Sequence, residues 1–247
     1  MELNIQLDNV YNMNCLEGMK MIPNGSVDAV ICDLPYGTTV NKWDCIIPFD
    51  ELWREYHRVA KLNAPFILFG AEPFATKLRE SNFDEYKYDW IWIKNNSTGF
   101  LNANRRPLKK FENICVFFRE RGIYNPQGLI YKPKTQRRGS VGNNYGNVKN
   151  NAHNTEYENY PSDVLYFSKD LPCLHPTQKP IDLLRYLVLT YTNEGDTGLD
   201  NCIGSGTTAI ACIKEKRHFI GFELNKKYYE IAVDRIAEEK HQLKINL

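Results

Sequence analysis

Short apolar runs alternate with amphipathic segments along most of the chain. Apolar runs bounded by Gly, Pro or Asp predict buried strands, and apolar residues that recur every three or four positions predict helices. The strands are expected near residues 10–11, 27–31, 65–70, 88–93, 113–118, 197–201 and 218–222. Helices are expected from about residues 16, 50, 73, 181, 207 and 226, with Asp50 and Asn225 placed to cap two of them. This alternation is typical of an α/β fold.

The pattern changes after Lys94. Asn, Gly, Lys and Arg dominate the next part of the chain, aromatic residues are scattered among them, and one strand (113–118) interrupts it. Residues 139–160 have no usable periodicity and predict a long loop. Twelve Lys or Arg and only two acids, Glu112 and Glu120, lie between Lys94 and Lys149, while the whole chain carries a net charge of +1. Such a block is typical of a polyanion-binding face, and a merely solvated surface is an equally open interpretation.

Composition narrows the class of protein. The length of 247 residues suits one large α/β domain with an inserted lobe, and 43% apolar and 25% charged residues are ordinary values for a globular protein. We expect no secretory signal and no membrane segment, because residues 1–12 lack a basic start and the longest apolar stretch, 64–71, is too short. Seven cysteines without a C-x-x-C pair favour a reducing cytoplasm and argue against a disulfide framework or a metal site.

The first candidate site follows the strand in residues 27–37, which read Val-Asp-Ala-Val-Ile-Cys-Asp-Leu-Pro-Tyr-Gly. The apolar run ends on Asp33, at the sheet edge where open α/β folds bind ligands. Pro35 has a fixed φ and biases Leu34 towards an extended conformation, which sets the directions of nearby carbonyls. With Tyr36 as a flat wall, the segment suits the exocyclic amino group of a planar base. An ordinary turn after a strand is the alternative.

The second candidate site is the glycine turn at Gly204-Ser-Gly206-Thr-Thr, which lies between a strand and a helix. It matches the dinucleotide fingerprint, with Glu223 seventeen residues after Gly206 as the ribose acid. A structural turn, a nicotinamide site and a nucleoside-sulfonium site all remain open on this motif. Asp200 beside the turn suits an ammonium better than a pyrophosphate. Since no Gly-Lys-Ser/Thr ending follows, a P-loop is excluded.

In their order along the chain these motifs resemble the β-class amino-DNA methyltransferases, a permuted family whose catalytic half precedes its cofactor half. Residues 33–36 resemble the Asp-Pro-Pro-Tyr motif, and residues 199–208 resemble Asp-Pro-Phe-x-Gly-Ser-Gly-Thr-Thr. Residues 175–180 (His-Pro-Thr-Gln-Lys-Pro) and 219–223 also fall where the family has similar blocks. The resemblance covers nearly the whole chain except about residues 134–166.

The chain departs from the family pattern at a few positions. Leu34 replaces a Pro whose contribution is a carbonyl, so activity should survive. Asn201 and Cys202 replace the usual Pro-Phe, and Asn14 stands where the family often has Asp.

The resemblance implies a Rossmann-like, doubly wound, mostly parallel seven-stranded sheet, circularly permuted and with an inserted DNA-recognition region. Residues 1–94 would form the catalytic half, residues 95–172 the target-recognition region with the core strand 113–118, and residues 173–247 the S-adenosylmethionine-binding half. The implied enzyme is a site-specific DNA methyltransferase that acts on adenine N6.

The resemblance also implies the residue roles. Asp33 and the Leu34 carbonyl, followed by Pro35, would accept hydrogen bonds from the target amino group, and Tyr36 would stack on the flipped base. The residues expected around S-adenosylmethionine are Asn14, Cys15, Asp33, Lys179, Asp200, Asn201, Cys202, Gly204, Gly206, Thr207 and Glu223. Those expected to bind DNA are Arg105, Arg106, Lys109, Lys110, Arg137 and Arg138.

Asp33 favours adenine, because the cytosine-N4 enzymes of this resemblance usually carry Ser there. A cytosine-N4 methyltransferase is therefore the first alternative, and a nicotinamide-dependent oxidoreductase built on the glycine turn is the second. A non-catalytic DNA-binding relic is the third. The expected partner is double-stranded DNA with a flipped target base, and a homodimer and a cognate restriction endonuclease are open partners. No membrane partner is expected.

Overall fold

The computed structural model describes residues 5–37, 44–136, 153–170 and 178–245. The strands are β1 (Asn9–Tyr11), β2 (Ala29–Cys32), β3 (Phe66–Gly70), β4 (Tyr86–Thr98), β5 (Lys109–Phe117), β6 (Ile130–Gln136), β7 (His153–Glu158), β8 (Val164–Tyr166), β9 (Thr197–Asp200) and β10 (His218–Phe222). The helices are α1 (Cys15–Met19), α2 (Phe49–Val59), α3 (Phe74–Ser81), α4 (Ile181–Tyr191), α5 (Thr207–Lys214) and α6 (Lys226–Ile245). None of the helices in these ranges is long and apolar enough to cross a membrane.

The main sheet has the strand order β1-β10-β9-β2-β3-β5-β4-β8. The five strands from β1 to β3 are mutually parallel, β5 is antiparallel to both β3 and β4, and β8 is parallel to β4. The predicted α/β, mostly parallel sheet is therefore confirmed. It has eight strands where seven were expected, because Val164–Tyr166 adds a short edge strand against β4.

The two halves of the chain meet in the centre of this sheet. β2 from the N-terminal half pairs with β9 from the C-terminal half, with Ala29 opposite Gly198. Both strands end in an acidic residue, Asp33 just after β2 and Asp200 at the end of β9. Parallel neighbours end at the same edge of a sheet, so the two predicted sites are brought to one place.

Helices cover both faces of the sheet. Side chains alternate along β3, where Phe66 and Leu68 join one buried cluster with α1, α2 and α3. Ile67 and Phe69 point to the opposite face and join a second cluster with α4 and α5. A strand that is buried on both faces needs apolar residues at every position, which explains its continuous apolar run.

Residues 126–162 form a separate compact unit, and residues 1–125 with 163–247 form the other. The predicted division of the chain after residues 94 and 172 stays a prediction. The prediction of a loop over residues 139–160 is wrong for His153–Glu158, which pairs antiparallel with Ile130–Gln136. Cross-strand main-chain hydrogen bonds form irrespective of side-chain polarity, so the polar composition concealed this strand. The rest of that segment up to residue 152 lies outside the described residues.

The two helix caps differ in their outcome. Asn225 accepts a hydrogen bond from the Lys227 backbone N–H at 3.0 Å, so its predicted cap is confirmed. The cap predicted at Asp50 is wrong, because α2 begins one residue earlier, at Phe49, after Pro48. Asp50 instead lies in the first turn, where a carboxylate interacts favourably with the helix dipole.

Gly18 is needed for the packing of α1 against β10, because a Cβ built there would overlap the buried ring of Phe222. We expect Gly18→Ala to destabilise the fold by about 1–3 kcal/mol, as overpacking in a core typically does. Urea denaturation measures this free energy of unfolding. At the control position, Gly198, a Cβ would lie 3.4 Å from Cys212 Sγ, so Gly198→Ala should change little. Equal stabilities of the two variants would contradict the packing role of Gly18.

Candidate active site

A cavity of about 730 Å³ lies at the edge of the sheet where β2, β9 and β10 end. Both halves of the chain contribute to its wall, as the permuted order requires. With the exception of Gly206, every residue predicted as catalytic or cofactor-binding lines it: Asn14, Cys15, Asp33, Leu34, Pro35, Tyr36, Lys179, Asp200, Asn201, Cys202, Gly204, Thr207 and Glu223. Its volume is within the usual range for small-molecule sites.

Gly206 does not line the cavity, and its backbone conformation and packing explain why a glycine is needed there. Its φ of +84° is left-handed, and a Cβ there would lie 3.1 Å from the Cβ of Ala232 on α6. The residue thus lets the turn before α5 close tightly against α6. The approach of this glycine to the cofactor stays a prediction.

Asp33 is the first member of a buried series of charges. Its Oδ1 accepts a hydrogen bond from Tyr36 Oη at 2.8 Å, and its Oδ2 accepts one from Lys179 Nζ. Lys179 Nζ also lies 3.3 Å from Glu112 Oε2, and Glu112 Oε1 accepts from Lys94 Nζ at 3.0 Å. Both lysines are almost fully buried, with 8% of Lys179 and 5% of Lys94 exposed. Positive and negative groups alternate, so each buried charge has an opposite neighbour.

Burial and pairing act in opposite directions on these groups. Burial raises the pKa of Asp33 above its usual range, and the ammonium of Lys179 opposes that rise. Burial would lower the pKa of Lys179, but the carboxylates of Asp33 and Glu112 hold it above its ordinary value. The two lysines overcome the burial of Glu112 and lower its pKa. The ionised state of Asp33 therefore depends on Lys179.

The structure gives Lys179 two acidic partners, Asp33 and Glu112. Its predicted place beside S-adenosylmethionine stays a prediction. Glu112 and Lys94 were not predicted as site residues. One available signal was that Glu112 is one of only two acids in a strongly basic block.

Tyr36 is fixed at both ends. Its hydroxyl donates to Asp33, and its ring stacks on Phe74 with 4.9 Å between centroids and 24° between planes. The ring also forms part of the cavity wall. The predicted stacking of a target base on Tyr36 stays a prediction.

Asp200 provides a second buried carboxylate in the same cavity. Only 4% of it is exposed, and it accepts hydrogen bonds from the Cys202 backbone N–H at 3.1 Å and from the Thr208 hydroxyl. Burial raises the pKa of Asp200 to about 6. It is therefore mostly an anion at neutral pH and fits the ammonium group of S-adenosylmethionine.

Glu223 follows β10 on the other side of the glycine turn. Its two carboxylate oxygens accept backbone hydrogen bonds from Gly204 at 3.0 Å and from Asn225 at 2.7 Å. These bonds fix the carboxylate and leave it lone pairs for ribose hydroxyls. Asn14 is similarly fixed, because its Oδ1 caps α1 by accepting from the Leu16 N–H at 2.9 Å. The acids and the cavity thus fit the cofactor that the sequence predicts.

Asn201 and Cys202, which replace the family's Pro-Phe, belong to a series of hydrogen-bonded polar side chains at the cavity wall. Tyr56 Oη donates to Asn201 Oδ1, and Asn201 Nδ2 lies 3.5 Å from Cys202 Sγ. The thiol of Cys202 in turn hydrogen-bonds Cys15, and this bond lowers the pKa of Cys15 to about 7. No group of three or more His, Cys, Asp or Glu in the described ranges could hold a metal ion.

The predicted DNA-binding residues that can be located lie at the end of the β4–β5 hairpin. Arg105, Arg106 and Lys110 are exposed, whereas Lys109 is half-buried and donates to the Glu72 carbonyl at 3.1 Å. Arg137 and Arg138 lie outside the described residues.

A model of the DNA methylase family of N6 and N4 methyltransferases matches residues 27–234. The chain belongs to this family. This match confirms the predicted resemblance of the chain to the amino-DNA methyltransferases. It also confirms the predicted class of enzyme and S-adenosylmethionine as the family's cofactor.

Individual relatives agree with this membership. This chain is 28% identical over 244 residues to Type II methyltransferase M.HpaI of Haemophilus parainfluenzae. The aligned part covers 92% of this chain and 73% of the relative. It is also 28% identical over 251 residues to DNA adenine methyltransferase YhdJ of Escherichia coli (strain K12). That alignment covers 94% of this chain and 83% of the relative. A solved structure of M1.HpyAVI with S-adenosylmethionine has a similar fold, with a TM-score of 0.62, 24% identity and coverage of 92% and 98%.

Lys179 is expected to keep Asp33 ionised, so Lys179→Met should shift the acid limb of the pH profile of kcat/KM to higher pH. The reason is that the pKa of Asp33, already raised by burial, loses the opposing ammonium. On the acid side of the shifted pKa, activity should fall roughly tenfold for each pH unit, because the ionised fraction of Asp33 falls by that factor. Lys179→Arg keeps the charge and should restore part of the activity. An unchanged acid limb in Lys179→Met would contradict this role.

Affinity for S-adenosylmethionine should fall as the pH drops through about 6, where Asp200 takes up a proton. A raised carboxyl pKa means that the anion is lost earlier on acidification, and the ammonium binds the anion, so the loss should approach tenfold per pH unit. Calorimetry between pH 5 and 7 measures it. In Asp200→Asn the affinity should be low throughout and nearly independent of pH. If Asp200→Asn kept the wild-type pH dependence, the titrating group would not be Asp200, and Glu223 would be the next candidate.

Proposed function

We propose that this DNA methylase transfers the methyl group of S-adenosylmethionine to the N6 amino group of adenine in double-stranded DNA. The observation that carries the proposal is the position of Asp33. Its carboxylate lies beside the ring of Tyr36, and the same cavity contains Asp200 and Glu223. An acceptor for an amino group and acids for a nucleoside-sulfonium cofactor thus occupy one cavity.

The chemistry follows from the properties of an aromatic amino group. Its lone pair is delocalised into the ring, so the nitrogen is a poor nucleophile. Acceptors at Asp33 and at the Leu34 carbonyl favour a more tetrahedral nitrogen and free the lone pair. S-adenosylmethionine supplies an electrophilic methyl group on a sulfonium. As the N–C bond forms, the methyl C–S bond breaks and its electron pair stays on the sulfur, which becomes a neutral thioether. The nitrogen becomes cationic, and the Asp33 carboxylate stabilises that charge until the nitrogen loses a proton to solvent.

Adenine is favoured over cytosine by two observations. Asp33 occupies the position where the cytosine-N4 enzymes of the resemblance usually carry Ser, and one relative is named a DNA adenine methyltransferase. A nicotinamide oxidoreductase built on the glycine turn would not explain the buried ion series of Asp33, Lys179 and Glu112. The intact series also argues against a non-catalytic relic, because unneeded buried charges are costly to retain.

DNA is the proposed macromolecular partner, with Arg105, Arg106 and Lys110 as exposed phosphate contacts. The restriction-modification setting of a relative such as M.HpaI suggests the same setting, in the cytoplasm, for this chain. A homodimer, a cognate endonuclease and the three-part domain division remain predictions.

Asp33→Ala should keep its fold and its affinity for S-adenosylmethionine, yet lose methyl transfer by several orders of magnitude. Positioning can supply about 7–11 kcal/mol of the barrier reduction, so misplacing the amino nitrogen is severe. Mass spectrometry of digested DNA measures the product, expected to be N6-methyladenine. Asp33→Asn is the matched variant, because it keeps an acceptor of the same shape and should retain more activity than Asp33→Ala.

Two results would contradict the proposal in different ways. N4-methylcytosine as the wild-type product would overturn the choice of base. Full activity of Asp33→Ala would overturn the mechanism, whatever the base.

A further inference from the structure

The end of the β4–β5 hairpin, residues 99–108, is a short ordered turn that we call the knuckle. Its backbone is closed by hydrogen bonds of the Asn102 N–H to the Gly99 carbonyl at 3.0 Å and of the Arg106 N–H to the Asn102 carbonyl at 3.0 Å. Thr98 pairs with Lys109 at its base. The knuckle is therefore held in shape by its own backbone and by the sheet.

Two large apolar side chains project from the knuckle. Leu101 is fully exposed and Phe100 is 70% exposed. Single exposed apolar residues are common on proteins, but two neighbours at the tip of a closed turn form a protruding apolar surface. Gly99 before them has a left-handed φ of +93° and open space around it, so the chain leaves β4 with a sharp change of direction.

The knuckle starts at the rim of the catalytic cavity. β4 contributes Trp92, Lys94 and Thr98 to the cavity wall, and Thr98 is only two residues before Phe100. At about 3.3 Å per residue along extended chain, the Cα atoms of Thr98 and Phe100 are separated by at most roughly 7 Å. That separation corresponds to about two base-pair steps, which are about 3.4 Å each.

Charge accompanies the apolar tip. Arg105 and Arg106 are exposed on the same knuckle, and the Arg105 N–H is bonded to the Asn102 carbonyl at 2.9 Å, which fixes its position relative to Leu101. Arginine suits phosphate contacts, and an apolar tip beside arginines is the chemistry of side chains that enter a base stack. The surface thus complements duplex DNA in both charge and polarity.

We propose that Phe100 and Leu101 form a wedge that enters the duplex at the target base pair and fills the gap left by the flipped base. Arg105 and Arg106 hold the flanking phosphates. This inference rests on the proposed function, because a wedge is needed only if a base must leave the stack to reach Asp33. It assigns the extrusion of the base to the knuckle and its recognition to the cavity.

The test compares two substrates that differ only in the pairing of the target base. Both duplexes carry the sequence that the wild-type protein methylates in cellular DNA. In one the target base is paired, and in the other it faces an abasic site, so no partner must be broken. The variants are Phe100→Ala with Leu101→Ala, together and singly. Leu62→Ala serves as control because Leu62 is also an exposed apolar residue (55%) but lies between α2 and β3, outside the knuckle.

On the paired duplex the double variant should lose roughly 5- to 140-fold in kcat/KM, the loss expected for about 1–3 kcal/mol of stacking. On the duplex with the abasic site the loss should be less than about threefold. A 2-aminopurine at the target position should show weaker fluorescence enhancement on binding. Leu62→Ala and the affinity of every variant for S-adenosylmethionine should match the wild type.

Arg105→Gln with Arg106→Gln gives an independent readout. These changes should weaken binding to both duplexes equally and flatten the slope of log affinity against log salt by about 0.9 for each phosphate that an arginine neutralises in the wild type. The wedge variants should leave that slope unchanged.

Three results would overturn the wedge. Equal losses on both substrates would make the knuckle a general binding surface, and no loss on either would make it a solvated surface. A change in sedimentation of the wedge variants without a change in base flipping would make it a contact between copies of the chain. A failure of the proposed function is separate, because it would be seen in the wild-type product itself.

Discussion

The ion pair between Lys179 and Asp33 is the constraint on which the site depends. It joins a residue that follows β2 to a residue that precedes α4, and so it ties the catalytic half of the chain to the cofactor half. Glu112 on β5 and Lys94 on β4 extend the pair across the antiparallel part of the sheet. A buried charge that loses its partner is strongly destabilising, so each element must keep its place for the others to remain paired. The same electrostatic requirement holds the fold together at the site and keeps Asp33 paired with Lys179.

Topology explains why these groups can meet at all. The chain enters the sheet at β1, fills its centre with β2 and β3, and returns to the position between β2 and β1 with β9 and β10. The parallel pairing of β2 with β9 then brings Asp33 and Asp200 to one edge, although they are separated by 167 positions in the sequence. One cavity can therefore hold an amino group and a sulfonium methyl in proximity. Positioning of this kind is the main source of rate in a transfer that uses no covalent intermediate.

The sequence predicts what is local and misses what depends on distant pairing. β3 was recognisable because a strand buried on both faces is apolar along its length, and Asn225 was recognisable because a cap needs only its own turn. His153–Glu158 was missed because its hydrogen bonds come from a strand whose paired residues lie 17 to 28 positions earlier. Glu112 and Lys94 were missed as site residues for the same reason, since no spacing rule links positions 33, 94, 112 and 179. Gly206 shows a further limit. The sequence identified the glycine turn, but it could not show that the turn packs closely against Ala232, which lies on a helix later in the chain.

The substitution of Asn201 and Cys202 for the family's Pro-Phe shows how such a site tolerates change. An apolar face is replaced by a polar chain from Tyr56 through Asn201 to Cys202 and Cys15, in which each member has a hydrogen-bonding partner. Buried polar groups are costly only when they are left unsatisfied, so this exchange preserves the floor of the cavity. The carboxylates of Asp200 and Glu223 rest instead on backbone N–H groups of the turn, which do not change with the side chains around them. Backbone N–H groups thus hold both carboxylates, with the Thr208 hydroxyl on Asp200 as well, while the packing beside them varies, and for this reason the Pro-Phe replacement does not argue against the predicted site.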